Sequence, residues 1–193
     1  MNQVFILMNG YSKSGKTTLV NKILETFPKV FVSIDTTKIH DFLNHNYPIF
    51  QDDQSITGNA YDLRDKTTKA MQKTMQNTLL KEGVSYIDDS CNSKLEKRQE
   101  ILSSVRSLKP NIVTMIISVQ ISEIELLKRL QTLDDEAESR GNKRVWVELY
   151  EKVQKPATVV PTAQEANHVF FYTGTNDKEI LDKIRKVLNL SQI

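Results

Sequence analysis

The sequence predicts a three-layer α/β fold with a five-stranded parallel sheet between two layers of helices. Two observations support this prediction. Short apolar runs alternate along the chain with segments whose apolar residues recur at helical spacing. The first apolar run also leads through a loop with two glycines into the first helical segment. Because parallel strands end at one edge of such a sheet, polar residues that follow the strands are expected to meet there.

The composition is that of a soluble protein. The chain has 193 residues, of which 39% are hydrophobic and 26% charged, so we expect one domain over residues 1–193. A net charge of +2 gives no general attraction to nucleic acid or to membranes. The single cysteine, Cys91, excludes an internal disulfide. The first apolar run is too short for a signal peptide or a membrane span, which predicts a cytoplasmic protein.

Five apolar or β-branched runs are predicted to form the strands. They cover residues 3–8, 29–34, 84–87, 112–119 and 168–172. Asp35 follows the second run, and Asp88 and Asp89 follow the third. The loop after the first strand, Asp35 and Asp88 should therefore converge at the carboxyl edge of the sheet.

Helical spacing predicts most of the intervening elements. Helices are expected over residues 17–27, 66–82, 95–108, 122–130, 145–153 and 180–188. Ser122 and Glu125 form a capping-box pattern at the start of one of them. Residues 36–65 mix aromatic, acidic and turn-forming residues and predict short helices and loops, whereas residues 131–144 are polar and highly charged.

Residues 10–17 match the phosphate-binding pattern G-x-x-x-x-G-K-[ST] between a strand and a helix. The glycines allow the backbone to wrap a phosphate chain and to direct its N–H groups at the oxygens. Lys16 is expected to reach the β- and γ-phosphates, and Thr17 to offer its hydroxyl to Mg²⁺. The pattern predicts a nucleoside triphosphate site formed by Gly10, Ser12, Ser14, Gly15, Lys16, Thr17 and Thr18.

Acidic residues after the second and third strands are candidates for the chemistry. Asp35 is expected to be the general base that takes a proton from an acceptor hydroxyl, or the N-cap of a helix that starts at Thr36, or both. Asp88 is expected to hold Mg²⁺ together with Thr17, directly or through water. Asp89 is its neighbour, and the spacing alone leaves open which of the two acids faces the metal.

Basic residues bracket the charged segment 131–144. Such a segment between helices suits a lid whose arginines close over a transferring phosphate and stabilise its charge. Arg140 and Arg144 are the arginines expected to do so, while Lys128 and Lys143 suit a solvated helical face.

Other nucleotide and metal chemistries lack their sequence patterns. A guanine-specific site needs Asn-Lys-x-Asp, whereas residues 175–178 read Thr-Asn-Asp-Lys, and no Asp-x-x-Gly follows the third strand. ATP is therefore the expected phosphate donor. The histidines His40, His45 and His168 and the lone cysteine do not have the spacing of a zinc site, so Mg²⁺ is the only metal indicated.

Four segments resemble small P-loop phosphotransferases, in particular chloramphenicol phosphotransferase and the zeta-toxin and polynucleotide-kinase-like kinases. They are residues 6–17, 33–35, 86–89 and 139–144, in the order of that family. The resemblance implies an ATP-dependent kinase that phosphorylates a hydroxyl of a small molecule. It also implies a fold similar to that of nucleoside monophosphate kinases.

The resemblance carries over to particular residues. The family's catalytic aspartate falls on Asp35 and its lid arginines fall on Arg140 and Arg144, while Arg98 lies near an arginine of some members. It further implies a small helical lid at residues 131–145 and an acceptor-binding region at residues 36–65. The acceptor is expected to be a small molecule with a hydroxyl group, and no membrane partner is implied.

The sequence leaves two other functions open. A nucleoside, nucleotide or nucleic-acid 5′-hydroxyl kinase would use the same residues, although the near-neutral charge argues against a long polynucleotide. A nucleotide-dependent switch would bind ATP without a second substrate and would not need Asp35 as a base. Tyr47, Phe50 and Tyr61 either line an acceptor pocket or form the core of their own lobe. No oligomeric state is specified.

Overall fold

The computed structural model describes residues 2–50 and 59–190 of the chain. Within them, five parallel strands form one sheet in the order β2-β3-β1-β4-β5. This confirms the predicted parallel α/β architecture. The strands are β1 (Val4–Asn9), β2 (Phe31–Ile34), β3 (Ser85–Asp88), β4 (Val113–Val119) and β5 (His168–Tyr172).

Helices cover both faces of the sheet, as right-handed crossovers between parallel strands require. A 3₁₀ turn at Pro48–Phe50 follows the second helix, and a π-helical turn at Tyr150–Gln154 joins the sixth to the seventh. The described helices are α1 (Lys16–Thr26), α2 (Thr36–Asn46), α3 (Asn59–Lys81), α4 (Leu95–Leu108), α5 (Glu123–Ser139), α6 (Trp146–Leu149), α7 (Lys155–Ala157) and α8 (Asp177–Val187).

The central strand β1 divides the hydrophobic core into two layers. Its six residues are all buried, and alternate side chains point to opposite faces of the sheet. Ile6 and Met8 pack with α1 and α8, whereas Phe5 and Leu7 pack with the side of the sheet that α3 and α4 cover. The same alternation determines which way each residue at a strand end faces.

Residues 36–50 and 59–65 are more helical than the sequence pattern predicted. Helix α2 begins directly after Asp35, and α3 begins at Asn59, which is seven residues before the predicted start at 66. The buried guanidinium of Arg64 explains the extension of α3. It donates to His40 Nε2 at 3.1 Å, to Asn44 Oδ1 at 2.6 Å and to the carbonyl of Phe50 at 3.1 Å. These contacts tie the start of α3 to α2 and override the turn-like local sequence.

Residues 131–145, the expected helical lid, are mainly helical. Helix α5 continues through the charged segment to Ser139, and Gly141 makes the turn with a φ of 77°. Buried Asp134 accepts hydrogen bonds from the N–H groups of Val145, Trp146 and Val147 at 2.8, 2.9 and 3.0 Å. Burial raises the pKa of Asp134, but the three N–H donors outweigh it and hold that pKa below its usual range. This carboxylate fixes the return of the chain into α6.

None of the helices in the described part of the chain combines the length and the apolar character that crossing a membrane requires.

Candidate active site

The loop between β1 and α1 has the backbone that a phosphate site requires. Gly10 and Gly15 have φ angles of 140° and 107°, in the region that favours glycine. A β-carbon on Gly10 would meet the carbonyl oxygen of Val119 at 2.8 Å, so any other residue would force the loop away from β4. The N–H of Gly10 donates to the carbonyl of Cys91 at 3.1 Å, which joins the loop to the segment after β3.

Lys16 is the first residue of α1, and its ammonium reaches back into this loop. Its side chain is almost completely buried, and Nζ donates to the carbonyls of Gly10 at 3.2 Å and Tyr11 at 2.7 Å. A buried ammonium that is bound only by carbonyl groups gains from an anion placed beside it. Ser14 Oγ is also buried, and it has no partner among the described residues.

Two asparagines hold the segment after β3 in place, and the sequence pattern did not identify either of them. Asn9 Nδ2 donates to the carbonyl of Asn92 at 2.9 Å, and Asn92 Nδ2 donates to the carbonyl of Met8 at 3.0 Å. Asn92 has a φ of 42°, which asparagine tolerates better than most residues. The signal available in the sequence was an asparagine directly before the phosphate loop and a second one shortly after the paired acids.

Asp88 and Asp89 face opposite sides of the sheet, which bears on where a metal ion could bind. Asp88 is fully buried towards α3, where its Oδ2 accepts from Gln72 Nε2 at 3.0 Å and Gln76 Nε2 at 3.2 Å. Asp89 turns to the phosphate loop and lines the same cavity as Thr17. Alternation along β3 is the reason, since Asp88 points to the same face as Tyr86. Asp88 is not among the residues that line the cavity with Thr17.

The titration of these two acids reflects their surroundings. Burial raises the pKa of Asp88, although hydrogen bonds from Ser90 and Asn92 oppose the shift. Burial also raises the pKa of Asp89, while a hydrogen bond from Thr17 lowers it and the negative charge of Asp35 raises it. Asp89, Thr17 and Asp35 thus form one electrostatically connected group beside Lys16.

Asp35 caps α2, as one interpretation of its position predicted, and it also lines the cavity. Its Oδ1 accepts from the N–H groups of Thr37 at 2.9 Å and Lys38 at 3.3 Å. Its Oδ2 lies 4.0 Å from Lys38 Nζ. Capping thus engages one carboxylate oxygen in two hydrogen bonds and leaves the other with a single distant cation.

A cavity of about 680 Å³ brings these groups together. One wall is the phosphate loop with Lys16, Thr17 and Thr18, and the opposite wall is the start of α2 with Asp35. Asp89, Ser90 and Cys91 form its floor, and Arg129, Thr132, Leu133 and Trp146 close it from the α5–α6 side. The predicted convergence of the loop and Asp35 at the sheet edge is observed, with Asp89 in the position expected for Asp88.

The predicted lid arginines lie outside this cavity. Arg140 pairs with Glu136 at 3.2 Å, and Arg144 pairs with Asp135 at 3.0 Å and with Glu138 at 2.9 Å. Both arginines are held by carboxylates on α5, one of them through the spacing of four residues typical of helix ion pairs. In the described structure neither one lines the cavity with Lys16.

Arg129 is the arginine that contacts the phosphate loop. Its guanidinium donates to the carbonyl of Lys13 at 3.3 Å and to Glu125 Oε1 at 3.0 Å. It also lines a second cavity of about 600 Å³ on the other side of the loop, which Ser14, Ser122 and Gly174 line as well. Its place at both cavities makes Arg129 a better candidate for contact with a nucleotide than Arg140 or Arg144.

Arg98, which the resemblance placed near an arginine of some family members, has a structural partner here. It is fully buried and forms a bidentate ion pair with Glu165 at 2.7 and 3.1 Å. It also donates to the carbonyls of Asn92 and Ser93 at 3.2 and 2.8 Å. The guanidinium therefore holds the segment that follows β3 in place through its backbone carbonyls.

The α6–α7 region also fixes the phosphate loop. Gln154 Oε1 accepts from the N–H of Ser12 at 3.0 Å, and Gln154 Nε2 donates to Ser12 Oγ at 2.9 Å. The ring of Tyr11 packs edge-on against the ring of Tyr150, with centroids 5.1 Å apart. Gln154 was not identified from the sequence, because no motif links a glutamine so far along the chain to the loop.

The donor set suits a magnesium ion that phosphate oxygens help to coordinate. Asp89 Oδ1 is buried and has no hydrogen-bond partner in the described part of the chain, and the Thr17 hydroxyl is close to the same carboxyl group. Mg²⁺ commonly uses one or two protein oxygens together with phosphates and water. No group of three or more His, Cys, Asp or Glu side chains among the described residues has the arrangement of a metal site made by protein alone.

Comparison with known proteins assigns the family. A family model described as an AAA domain matches residues 6–148, so the chain belongs to this family of P-loop proteins. A search of curated proteins found no match.

Solved structures share the fold at low sequence identity. A provisionally assigned kinase from Chloroflexus aurantiacus is 15% identical, with 97% of each chain covered and a TM-score of 0.71. The APS kinase of Mycobacterium tuberculosis, solved with AMPPNP and APS, is 12% identical over 97% of this chain and 98% of that one, with a TM-score of 0.56. A sugar kinase from Janibacter is 13% identical over 99% and 96%, with a TM-score of 0.54. The fold is thus that of P-loop kinases, as the resemblance implied.

Proposed function

We propose that this protein is an ATP-dependent phosphotransferase that moves the γ-phosphate to a hydroxyl group of a small-molecule acceptor. The observation that carries the proposal is the shared cavity of Lys16, Thr17, Asp89 and Asp35. It combines a phosphate-binding loop, a metal-binding acid and a candidate base, which are the groups that phosphoryl transfer requires. The matching family and the kinase fold agree with this chemistry.

Nucleotide binding is assigned to the loop and to Arg129. The N–H groups of the loop and the N-terminus of α1 would bind the phosphates, and Lys16 would replace its bonds to Gly10 and Tyr11 by bonds to phosphate oxygens. The cavity beside Ser14 and Gly174 is suited to the nucleoside, because it adjoins the loop and Arg129 lines it. The Ser14 hydroxyl, which has no hydrogen-bond partner among the described residues, belongs to a residue that lines this cavity and supports the assignment.

Magnesium binding is assigned to Thr17 and Asp89, with Asp89 in place of Asp88. A bound Mg²⁺ would neutralise charge on the phosphates during transfer. The buried Oδ1 of Asp89 has the negative charge and the missing partner that a cation or its water would satisfy. Asp88 would act indirectly, since it anchors the end of β3 to Gln72 and Gln76.

Asp35 is assigned as the base that takes the proton of the acceptor hydroxyl. Oδ2 is the oxygen suited to this role, because Oδ1 accepts two backbone N–H groups of α2. The cap also orients the carboxyl group towards the cavity, so the two roles support each other. A base of this kind contributes roughly 10²- to 10⁴-fold to the rate of proton transfer reactions.

Charge stabilisation is assigned to Lys16 and Arg129. Arg140 and Arg144, which the sequence favoured, would first have to break their ion pairs with carboxylates of α5 before they reach a phosphate. The lid role of residues 131–145 is kept in the proposal, because Thr132 and Leu133 close the cavity.

The acceptor would bind beside Asp35, between α2 and α3. A small cavity of about 220 Å³ lies there, and the apolar side chains of Ile39, Phe42 and Met71 line it. This supports an acceptor with an apolar portion. Tyr47 packs edge-on against Phe50, with ring centroids 6.1 Å apart, although Tyr47 remains 46% exposed. The side chain of Tyr61 lies outside the described residues.

The test is release of ADP from Mg-ATP in the presence of different hydroxyl compounds. The panel would include nucleosides, sugars, aminoglycosides, amphenicols and a 5′-hydroxyl oligonucleotide at several salt concentrations. Lys16→Met is the control that removes transfer. Release that depends on one compound supports the proposal and names the acceptor class. ATP binding with release that is indifferent to every compound would instead favour a nucleotide-dependent switch.

A further inference from the structure

The phosphate loop contains a second lysine in an unusual backbone conformation. Lys13 has a φ of 64°, in the left-handed region where a residue with a β-carbon is strained and glycine is favoured. Strain of this kind is found most often at functional sites, where the side chain has a use that offsets the cost. The motif fixes Gly10, Gly15, Lys16 and Thr17, and it does not require a lysine at position 13.

The side chain of Lys13 lies at the cavity and contacts Trp146, which directly follows the lid segment. Its Nζ is 4.6 Å from the centroid of the Trp146 ring, which is a cation–π contact, and both residues line the cavity with Lys16. The carbonyl of Lys13 accepts the hydrogen bond from Arg129. Lys13 is exposed and the Trp146 ring is half-buried, and a cation–π contact of an exposed lysine holds the ammonium only weakly.

The ammonium of Lys13 also forms fewer ion pairs than the guanidinium groups of the lid arginines. Arg140 and Arg144 each have carboxylate partners on α5. Among the described residues, no carboxylate forms an ion pair with Lys13. Its ammonium can therefore move to a new anion without breaking an existing ion pair.

We propose that Lys13 is a second phosphate-binding lysine, which exchanges the ring of Trp146 for phosphate oxygens when a nucleotide binds. The inference rests on the proposed nucleotide site. A charge-assisted hydrogen bond to phosphate is stronger than the cation–π contact of an exposed lysine, so the exchange is favourable. Because Trp146 directly follows the lid segment and lines the cavity, the exchange also removes one contact between the loop and α6 and couples the position of Trp146 to the phosphates.

The test compares Mg-ATP affinities by isothermal titration calorimetry. Lys13→Gly removes the ammonium and also suits the left-handed backbone, so this variant is expected to fold at least as stably as the wild type while it binds ATP about 10-fold more weakly. Lys13→Met should show the same loss of affinity, and Lys13→Arg should restore it. Lys128→Met removes the same charge from an exposed position on α5 and should bind as the wild type does.

Substitution of Trp146 distinguishes phosphate binding by Lys13 from a contact that only holds the lid near the loop. If Lys13 binds phosphate, Trp146→Leu should retain wild-type affinity or bind more tightly, since it frees the lysine. If the contact serves only to hold the lid, Trp146→Leu and Lys13→Met should weaken binding equally, which would overturn the inference. Wild-type affinity in both Lys13→Gly and Lys13→Met would also overturn it while the nucleotide site stands. Absence of ATP binding in the wild type would instead refute the proposed function itself.

Fluorescence gives a second readout, because Trp146 is the only tryptophan of the chain. Addition of ATP to the wild type should change the emission as the ammonium leaves the ring, with a midpoint equal to the calorimetric Kd. In Lys13→Met the emission should already differ without nucleotide and should respond less at saturation. An identical response in both proteins would contradict the exchange.

Discussion

Asp88 and Asp89 are neighbours in the chain, yet their carboxyl groups lie on opposite faces of the sheet. Asp88 binds the side chains of Gln72 and Gln76 on α3, and Asp89 lies at the phosphate loop beside Thr17. The two acids therefore have different roles in the account. Asp89 is a candidate metal ligand, and Asp88 stabilises the packing of α3 on β3.

Substitution of each acid by asparagine should separate these roles. Asp89→Asn is expected to raise the Mg²⁺ concentration needed for half-maximal activity, because the charge beside Thr17 is lost. Asp88→Asn should leave this Mg²⁺ dependence unchanged and should lower the free energy of unfolding by about 1–3 kcal/mol, because buried hydrogen bonds are disturbed. Activity at several Mg²⁺ concentrations and urea unfolding measure the two effects. The opposite pattern would indicate that Asp88, and not Asp89, binds the metal ion.

Arg129 and Arg140 provide a matched pair of arginines on the same side of the cavity. Arg129→Met should slow phosphoryl transfer by roughly 10²-fold, because Arg129 contacts the loop while the substitution keeps the aliphatic stem. Arg140→Met should have little effect, because its side chain is mostly exposed and paired with Glu136. Single-turnover rates at saturating ATP measure both. A larger loss in Arg140→Met would show that lid closure brings that arginine to the phosphate.

The buried ion pair of Arg98 and Glu165 should control stability. Glu165→Gln leaves the guanidinium of Arg98 buried without its charged partner, which is expected to cost about 3–5 kcal/mol. Leu108→Ala, at an exposed position on the same α4, is a control that should change the free energy of unfolding much less. Urea unfolding of the two variants measures the difference. Equal losses of unfolding free energy in the two variants would show that the ion pair contributes no more to stability than an exposed leucine does.

The same pair predicts a dependence of stability on pH. Burial raises the pKa of Glu165, but hydrogen bonds from Arg98 and from the N–H of Thr162 outweigh it, so the pKa lies below its usual value of 4.5. A lowered pKa in the folded state means that the unfolded state binds more protons between the two values. The contribution of Glu165 to stability is therefore complete above about pH 4.5 and is lost as the pH falls below it. Unfolding measured from pH 7 to pH 3 should show this loss in the wild type and not in Glu165→Gln.

The fold could be predicted from the sequence because the patterns that identify strands and helices are local. Apolar runs and helical spacing identified the strands and most helices, and parallel connection then brought the loop and Asp35 to one edge. The orientation of Asp88 and Asp89 could not be predicted. All four residues of β3 are buried, so the short strand has no alternation of apolar and polar residues from which its faces could be assigned.

The length of α5 shows a different reason for a missed prediction, since the helix was expected to end at residue 130 and continues to Ser139. The buried stripe of α5 runs through Leu126, Leu130 and Asp134, and its third position is a carboxylate. A carboxylate at a core position interrupts the apolar pattern from which a helix is predicted. Only the structure shows that Asp134 accepts three N–H groups of the chain that returns into α6. The contacts of Arg129 and Gln154 with the loop depend equally on tertiary structure, since they join segments more than a hundred residues apart.

Asp35→Asn tests the central claim most directly. Asparagine is as good an N-cap as aspartate, so α2 and the cavity wall should be retained while the base is lost. The measurement is single-turnover transfer from Mg-ATP to the identified acceptor, together with the Kd for ATP. We expect unchanged ATP affinity and transfer slower by roughly 10²- to 10⁴-fold. Transfer at the wild-type rate in Asp35→Asn would contradict the account, because Asp35 would then serve only as the cap of α2.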